Sequence, residues 1–138
     1  MTDWKAVGIG ALVNAVLSIV LFLAFFPVFF LGPLAGGFLT VYLSREYEGY
    51  GRMDEKAGAI DGAFSGIIGG IIIGLIFILG FGAISAIIGL IFAKIGFIAG
   101  AITLIVGLVI ALLSIFVGAV LGAVGGVFGV ITRQNEYE

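Results

Sequence analysis

The chain contains no cysteine and no histidine among its 138 residues. Disulfide bonds are therefore impossible, and thiolate nucleophiles, haem and iron–sulfur ligation and the usual zinc sites are excluded with them. Charged residues are also scarce, at 10% of the chain against roughly a quarter in soluble domains. The six basic residues are scattered, which argues against nucleic acid as a partner. We expect neither a metal nor a cofactor.

Apolar residues dominate what is present. They make up 62% of the chain, and the mean hydropathy is +1.37. A chain this short has too much surface to hide so many apolar side chains from water, so the lipid bilayer must be its solvent. The composition predicts an all-α, polytopic transmembrane helical bundle that crosses the cell membrane several times.

The first apolar block, residues 6–44, contains no charged residue. As helix it would extend about 58 Å, enough to cross a hydrocarbon layer of roughly 30 Å twice. Pro27 and Pro33 lie near its middle, where the chain has to turn. The block therefore predicts a hairpin with spans at about 6–26 and 29–44.

One long polar stretch follows, and it predicts a loop in water at 45–56. Its basic residues, together with Lys5 and Arg133, lie on the same side of the membrane if an even number of spans separates each group. The positive-inside tendency then puts this loop and both termini in the cytoplasm.

The apolar stretch from Ala57 to Thr132 contains only two charged residues, Asp61 and Lys94. We expect a span at 57–79 that ends at Gly80-Phe81-Gly82, and a long tilted span at 98–131. An interfacial or embedded helix at 82–95 would connect them, with Lys94 at the outer interface. This interpretation gives four spans. Alternatively, the part of the chain after 57–79 forms three short spans, which gives six in total.

Glycine spacing is the most specific pattern. Glycines recur every fourth residue in the third predicted span: Gly58, Gly62, Gly66, Gly70 and Gly74. A similar row follows in the last span: Gly118, Gly122 and Gly126. Residues four apart share a helix face, so each row forms a groove that a neighbouring helix can approach closely. The rows predict glycine-zipper packing, and we expect the chain to form a homo-oligomer. A second stripe, Gly125 and Gly129, suggests more than one partner helix.

Four segments also resemble those of a known family. They are residues 3–10 (DWKAVGIG), residues 32–38 (GPLAGGF) and the Gly-Ala pairs that open the glycine rows at 58 and 118. In these the chain resembles an uncharacterised family of small archaeal integral-membrane proteins, a domain of unknown function. The resemblance implies a four-span archaeal membrane protein, and it implies no activity and no functional residue.

Two polar residues within predicted spans are candidates for an ion or polar site, Asn14 and Asp61. Asp61 also suits a structural role, because the helix dipole favours a carboxylate in the first turns and Ser65 could satisfy it. A buried Asn14 amide should find a partner on another helix or on another subunit. Ser18, Thr40, Thr103 and Ser114 are expected to bond their own helix backbones.

These residues leave three classes of function open: a structural or accessory helix bundle, a small oligomeric channel and a carrier. Membrane enzymes need convergent catalytic groups, and only Asp61 offers one, so we expect no enzyme. The sequence favours a self-associating structural or accessory helix bundle, with the lipid bilayer, further copies of the chain and other membrane proteins as partners. A small oligomeric ion channel or carrier that uses Asn14 and Asp61 is the alternative.

Overall fold

The computed structural model describes residues 2–24, 30–44 and 54–135. These residues form four helices and no strand: α1 (Trp4–Ala24), α2 (Leu31–Tyr42), α3 (Glu55–Ile91) and α4 (Ala93–Asn135). Three of them, α1, α3 and most of α4, are long and apolar enough to cross a membrane, with mean hydropathies of 2.5, 2.8 and 3.0. The all-helical class is confirmed, and the three apolar helices indicate a membrane-embedded protein.

Local sequence explains where the first two helices begin. The Asp3 carboxylate accepts hydrogen bonds from the backbone N–H groups of Lys5 (3.1 Å) and Ala6 (3.3 Å), and so caps α1. Pro33 was predicted in a turn but lies in the first turn of α2. Proline is tolerated there because an N–H at that position has no partner within the helix.

Two aromatic contacts show that α1 and α3 run side by side in the same direction. The centroid of the Trp4 ring lies 5.8 Å from that of the Phe64 ring, and the centroids of the Phe22 and Phe77 rings are also 5.8 Å apart. The end of α1 therefore lies level with the middle of α3.

The other two helices run the opposite way. Along α3 and α4, Gly58 faces Val130 while Gly74 faces Ala111, so this pair is antiparallel. Helix α2 lies against α1, α3 and α4. Its Gly32 meets Ser18 of α1 and its Gly36 meets Gly10 O, so α2 is antiparallel to α1. The N-termini of α1 and α3 and the C-termini of α2 and α4 therefore lie at the same end of the bundle.

Almost all described charged residues gather at that shared end. They are Asp3, Lys5, Asp54, Glu55, Lys56, Asp61 and Arg133. Lys94, in the first turn of α4, is the one described charged residue at the opposite end. The boundaries of the predicted polar loop and the two ends of the helical region therefore lie on one side of the bundle, as an even number of crossings requires.

The predicted helix break at Gly80-Phe81-Gly82 is corrected by the structure. Residues 82–91 continue α3, and residues 93–95 begin α4, so 82–95 is no separate helix. Without proline or charge, two glycines leave the helical hydrogen bonds intact, and lipid offers the backbone no other partner. The chain reverses instead at Phe92, where Gly96 meets Gly89 closely enough for a Cβ on Gly96 to overlap Gly89 Cα.

Helices α3 and α4 continue well beyond the end of α1. Their 37 and 43 residues correspond to about 55 and 64 Å, against about 31 Å for α1. We call residues 78–107, which form the far part of this hairpin, the distal arm. Ile78 faces Gly107 at its base.

Three predictions fall outside the described residues. They concern the turn at Pro27, the greater part of the loop (45–53) and the side chain of Lys94.

Candidate functional site

Small and polar side chains fill the interior, and large apolar ones face outward. The buried polar residues are Asn14, Ser18, Thr40, Ser44, Asp61 and Ser65. The buried apolar residues are alanines and valines, whereas exposed leucines, isoleucines and phenylalanines cover the outside. This arrangement suits a chain whose solvent is lipid, because polar groups are costly on a lipid-facing surface.

Four of the buried polar residues form what we call the polar line: Asp61 and Ser65 on α3, then Asn14 and Ser18 on α1. Their side chains are 4% exposed at most. A Cβ on Gly69, one turn beyond Ser65, would lie 2.8 Å from Asn14 Cγ, so the line passes from α3 to α1 at this level. It extends about 18 Å inward from the charged end.

Hydrogen bonding along this line is incomplete. Ser18 Oγ donates to Asn14 Oδ1 at 3.1 Å and not to the backbone of its own helix, which corrects the prediction for Ser18. This partner of Asn14 lies on its own helix, and a partner on another subunit stays a prediction. Asn14 Nδ2 and Ser65 Oγ have no hydrogen-bond partner in the described part of the chain, so Ser65 does not satisfy Asp61 as expected.

Helix α2 adds a hydroxyl beside the line. Thr40 Oγ1 donates to Gly36 O at 2.9 Å, which confirms its predicted bond to its own helix; Thr103 Oγ1 does the same with Ala99 O at 2.8 Å. A Cβ on Gly10 would overlap Thr40 Oγ1 and lie 2.7 Å from Ser65 Oγ. The hydroxyls of Thr40 in α2 and Ser65 in α3 therefore both lie beside Gly10, where α1 has no side chain.

The polar line ends in aromatic side chains. Phe22 lies one helical turn beyond Ser18, and its ring meets that of Phe77 edge-on at 5.8 Å. The Phe77 ring in turn stacks on that of Phe81 at 5.8 Å. Beyond these rings the next described hydroxyls, Ser85 and Thr103, lie in the distal arm. The line therefore enters the bundle from the charged end and is interrupted by aromatic side chains inside it.

The chemistry available along the line is limited to one carboxylate, one amide and hydroxyls. Among the described residues, no group of three or more His, Cys, Asp or Glu side chains is placed to hold a metal ion. These groups can donate and accept hydrogen bonds, and they offer no nucleophile activated by a base.

The glycine rows lie between α3 and α4. A Cβ on Gly66 would overlap the carbonyl oxygen of Gly118, and one on Gly118 would lie 2.5 Å from Gly66 O. The same holds along the rows, where added Cβ atoms would meet facing backbone or Cβ atoms in α4 at Gly62, Gly70 and Gly74 and in α3 at Gly122 and Gly126; at Gly58 the first atom met is a Val130 side-chain carbon. Beside them, Gly125 and Gly129 face α2, where Cβ atoms would meet the carbonyl oxygens of Leu34 and Phe38.

Arg133 is a residue of the charged end whose role the sequence did not show. Its Nη1 donates to three backbone oxygens at the end of α2: Ser44 (2.8 Å), Tyr42 (2.9 Å) and Val41 (3.4 Å). The last carbonyls of a helix lack partners within it and carry partial negative charge, so a guanidinium is well suited to them. A lone arginine in the last turn of an apolar helix was the available signal, but nothing in the sequence indicated which helix end it would meet.

Comparison with known proteins gives one match. The sequence model of a family described as a family of unknown function (DUF5518) matches residues 4–132. Neither a curated protein nor a solved structure matches the chain.

Proposed function

The chain belongs to this family of unknown function, and we propose from its geometry that it is a self-associating helix bundle with a structural or accessory role in the membrane. The observation that carries the proposal is the end of the polar line at Phe22 and Phe77. A pore through the bundle needs a continuous path for water, and the polar groups that would favour such a path are interrupted here by aromatic side chains. The buried polar groups instead lie where helices meet.

An ion channel or carrier that uses Asn14 and Asp61 is the second candidate. One observation favours it: Asn14 Nδ2 and Ser65 Oγ are fully buried and lack hydrogen-bond partners in the described part of the chain. Such groups could take part in binding a small polar species that enters from the charged end.

Conductance measurements separate the structural role from an ion channel. We expect the protein reconstituted in planar bilayers to conduct no more than a protein-free bilayer, and Asp61→Asn and Asn14→Leu to be equally silent. The channel candidate would be supported instead by a conductance that both variants abolish and that Asn135→Leu, at the exposed end of α4, retains.

Self-association is supported by a groove on the distal arm. Between α3 and α4 an open groove of about 320 Å³ is lined mainly by small residues: Gly82, Ser85, Ala86, Gly89, Gly96, Gly100 and Leu104. A Cβ on Gly82 or Gly100 would meet nothing within 4 Å. Small residues let a further helix approach closely, and a second copy of the chain can provide one.

Filling this groove should reduce the native mass in nanodiscs. We expect a defined oligomer for the unmodified chain and mainly monomer for Gly100→Leu, because the added side chain occupies the space of the partner helix. Gly80→Leu is the matched control, since Gly80 is equally open but does not line the groove. An oligomer of unchanged mass in Gly100→Leu would rule out this interface.

We also propose that the charged end faces the cytoplasm of the cell, because basic residues flanking membrane spans favour that side. The chain has no cysteine, so Lys94→Cys provides a unique thiol at the α3–α4 turn. A membrane-impermeant thiol reagent should label this variant in intact cells. Labelling only after the membrane is broken would reverse the orientation.

A further inference from the structure

The apolar length of the α3–α4 hairpin differs from that of α1. The described charge-free part of α1, residues 6–24, rises about 28 Å, close to a hydrocarbon layer of roughly 30 Å. Helix α3 has no charged residue from Gly62 to Ile91, which is about 45 Å of helix. Helix α4 has none from Gly96 to Thr132, about 55 Å.

Tilting cannot remove this difference. Ring contacts at Trp4–Phe64 and Phe22–Phe77 fix α1 beside α3, so the two helices share one tilt. A tilt that reduces the apolar depth of α3 to roughly 30 Å leaves α1 a depth of only about 20 Å. The distal arm therefore extends beyond the depth that α1 can span.

The side chains of the arm are those of a lipid-facing surface. Leu90 and Phe97 are 88% and 85% exposed. Its hydroxyls point at the seam between the helices, where Ser85 Oγ donates to Thr103 Oγ1 at 2.9 Å. Apart from the groove of small residues between its two helices, the arm exposes large apolar side chains.

We propose that the distal arm selects long-chain lipids, so that the bilayer around it is thicker than the roughly 30 Å that suits α1. Each ångström of exposed apolar length carries a free-energy cost, which long acyl chains remove. The inference does not depend on self-association, because copies arranged around an axis along the membrane normal keep their arms at the same depth.

Tryptophan quenching by brominated lipids tests this directly. Trp4 is the single tryptophan, so Trp4→Phe gives a background in which Phe97→Trp reports on the arm. Leu12→Trp, at a position that is 59% exposed on α1, is the matched control. Each variant is placed in dioleoyl phosphatidylcholine vesicles that contain brominated dierucoyl or brominated dimyristoleoyl phosphatidylcholine.

We expect the relative binding constant of the erucoyl lipid to exceed that of the myristoleoyl lipid at least about threefold at Phe97→Trp, and to show no such excess at Leu12→Trp. Equal quenching by both lipids at Phe97→Trp would overturn the proposal, as would a preference for the shorter chains. Absence of quenching by either lipid would also overturn it, because the acyl chains would then not contact the arm. Unchanged native mass shows that each variant assembles normally.

Discussion

Gly66→Ala is expected to lower the free energy of unfolding by about 3 kcal/mol, because an added methyl group would occupy the position of a backbone atom. The atom is the carbonyl oxygen of Gly118 in α4, which no rotamer change can move. Helices α3 and α4 would have to separate, and the contacts of neighbouring glycines along both rows would be lost with them.

A matched substitution on the same helix separates this overlap from any general effect of alanine. A Cβ on Gly80 would meet nothing within 4 Å, so Gly80→Ala should raise the free energy of unfolding by about 0.5 to 1 kcal/mol through helix propensity. Both free energies can be measured by titration with a denaturing detergent. The signal is the fluorescence of Trp4, whose ring contacts that of Phe64 in the folded protein. Equal effects of the two substitutions would mean that the α3–α4 contact is not close.

Much of the helical architecture could be predicted because its signals are local. Lipid as solvent forces every backbone group to bond within its own segment, so charge-free blocks become helices. The predicted bounds of 6–26 and 57–79 begin within two residues of α1 and α3. The glycines that recur every fourth residue at 58–74 and 118–126 lie where α3 and α4 meet.

The extent of α3 could not be predicted, because glycine is an ambiguous signal in an apolar sequence. Gly80 and Gly82 suggested a turn, yet the helix continues through them, and the chain reverses where Gly89 meets Gly96. Whether a glycine ends a helix or makes room for another one depends on what lies opposite. That information comes from the tertiary arrangement.

The candidate site shows the same division. Asn14 and Asp61 stood out as polar residues within apolar blocks, and both are buried. Their relation to Ser65 depends on α1 and α3 running side by side in one direction, which no spacing within either helix specifies. The aromatic end of the polar line likewise depends on Phe22 meeting Phe77 across two helices.

Arg133 provides the second large effect, because one guanidinium connects α4 to the end of α2. Arg133→Met keeps much of the apolar stem and removes the donor to the backbone oxygens of Val41, Tyr42 and Ser44. A hydrogen bond that involves a charged group contributes about 1.5 to 3 kcal/mol to the free energy of unfolding. Since the side chain is only half-buried and water can replace part of the loss, we expect a decrease of about 2 kcal/mol.

The loss should also be local, which distinguishes a clamp on α2 from a general weakening of the bundle. With 12 residues, α2 is too short to be stable without tertiary contacts. Hydrogen exchange should therefore accelerate in the last turn of α2 in Arg133→Met and stay slow in α1. Arg133→Lys should recover about half of the stability, because it keeps a cation at the negative helix end but loses the planar fork of donors. Asn135→Met, at the exposed end of α4, should change neither quantity, and uniform acceleration across α1 and α2 would contradict the clamp.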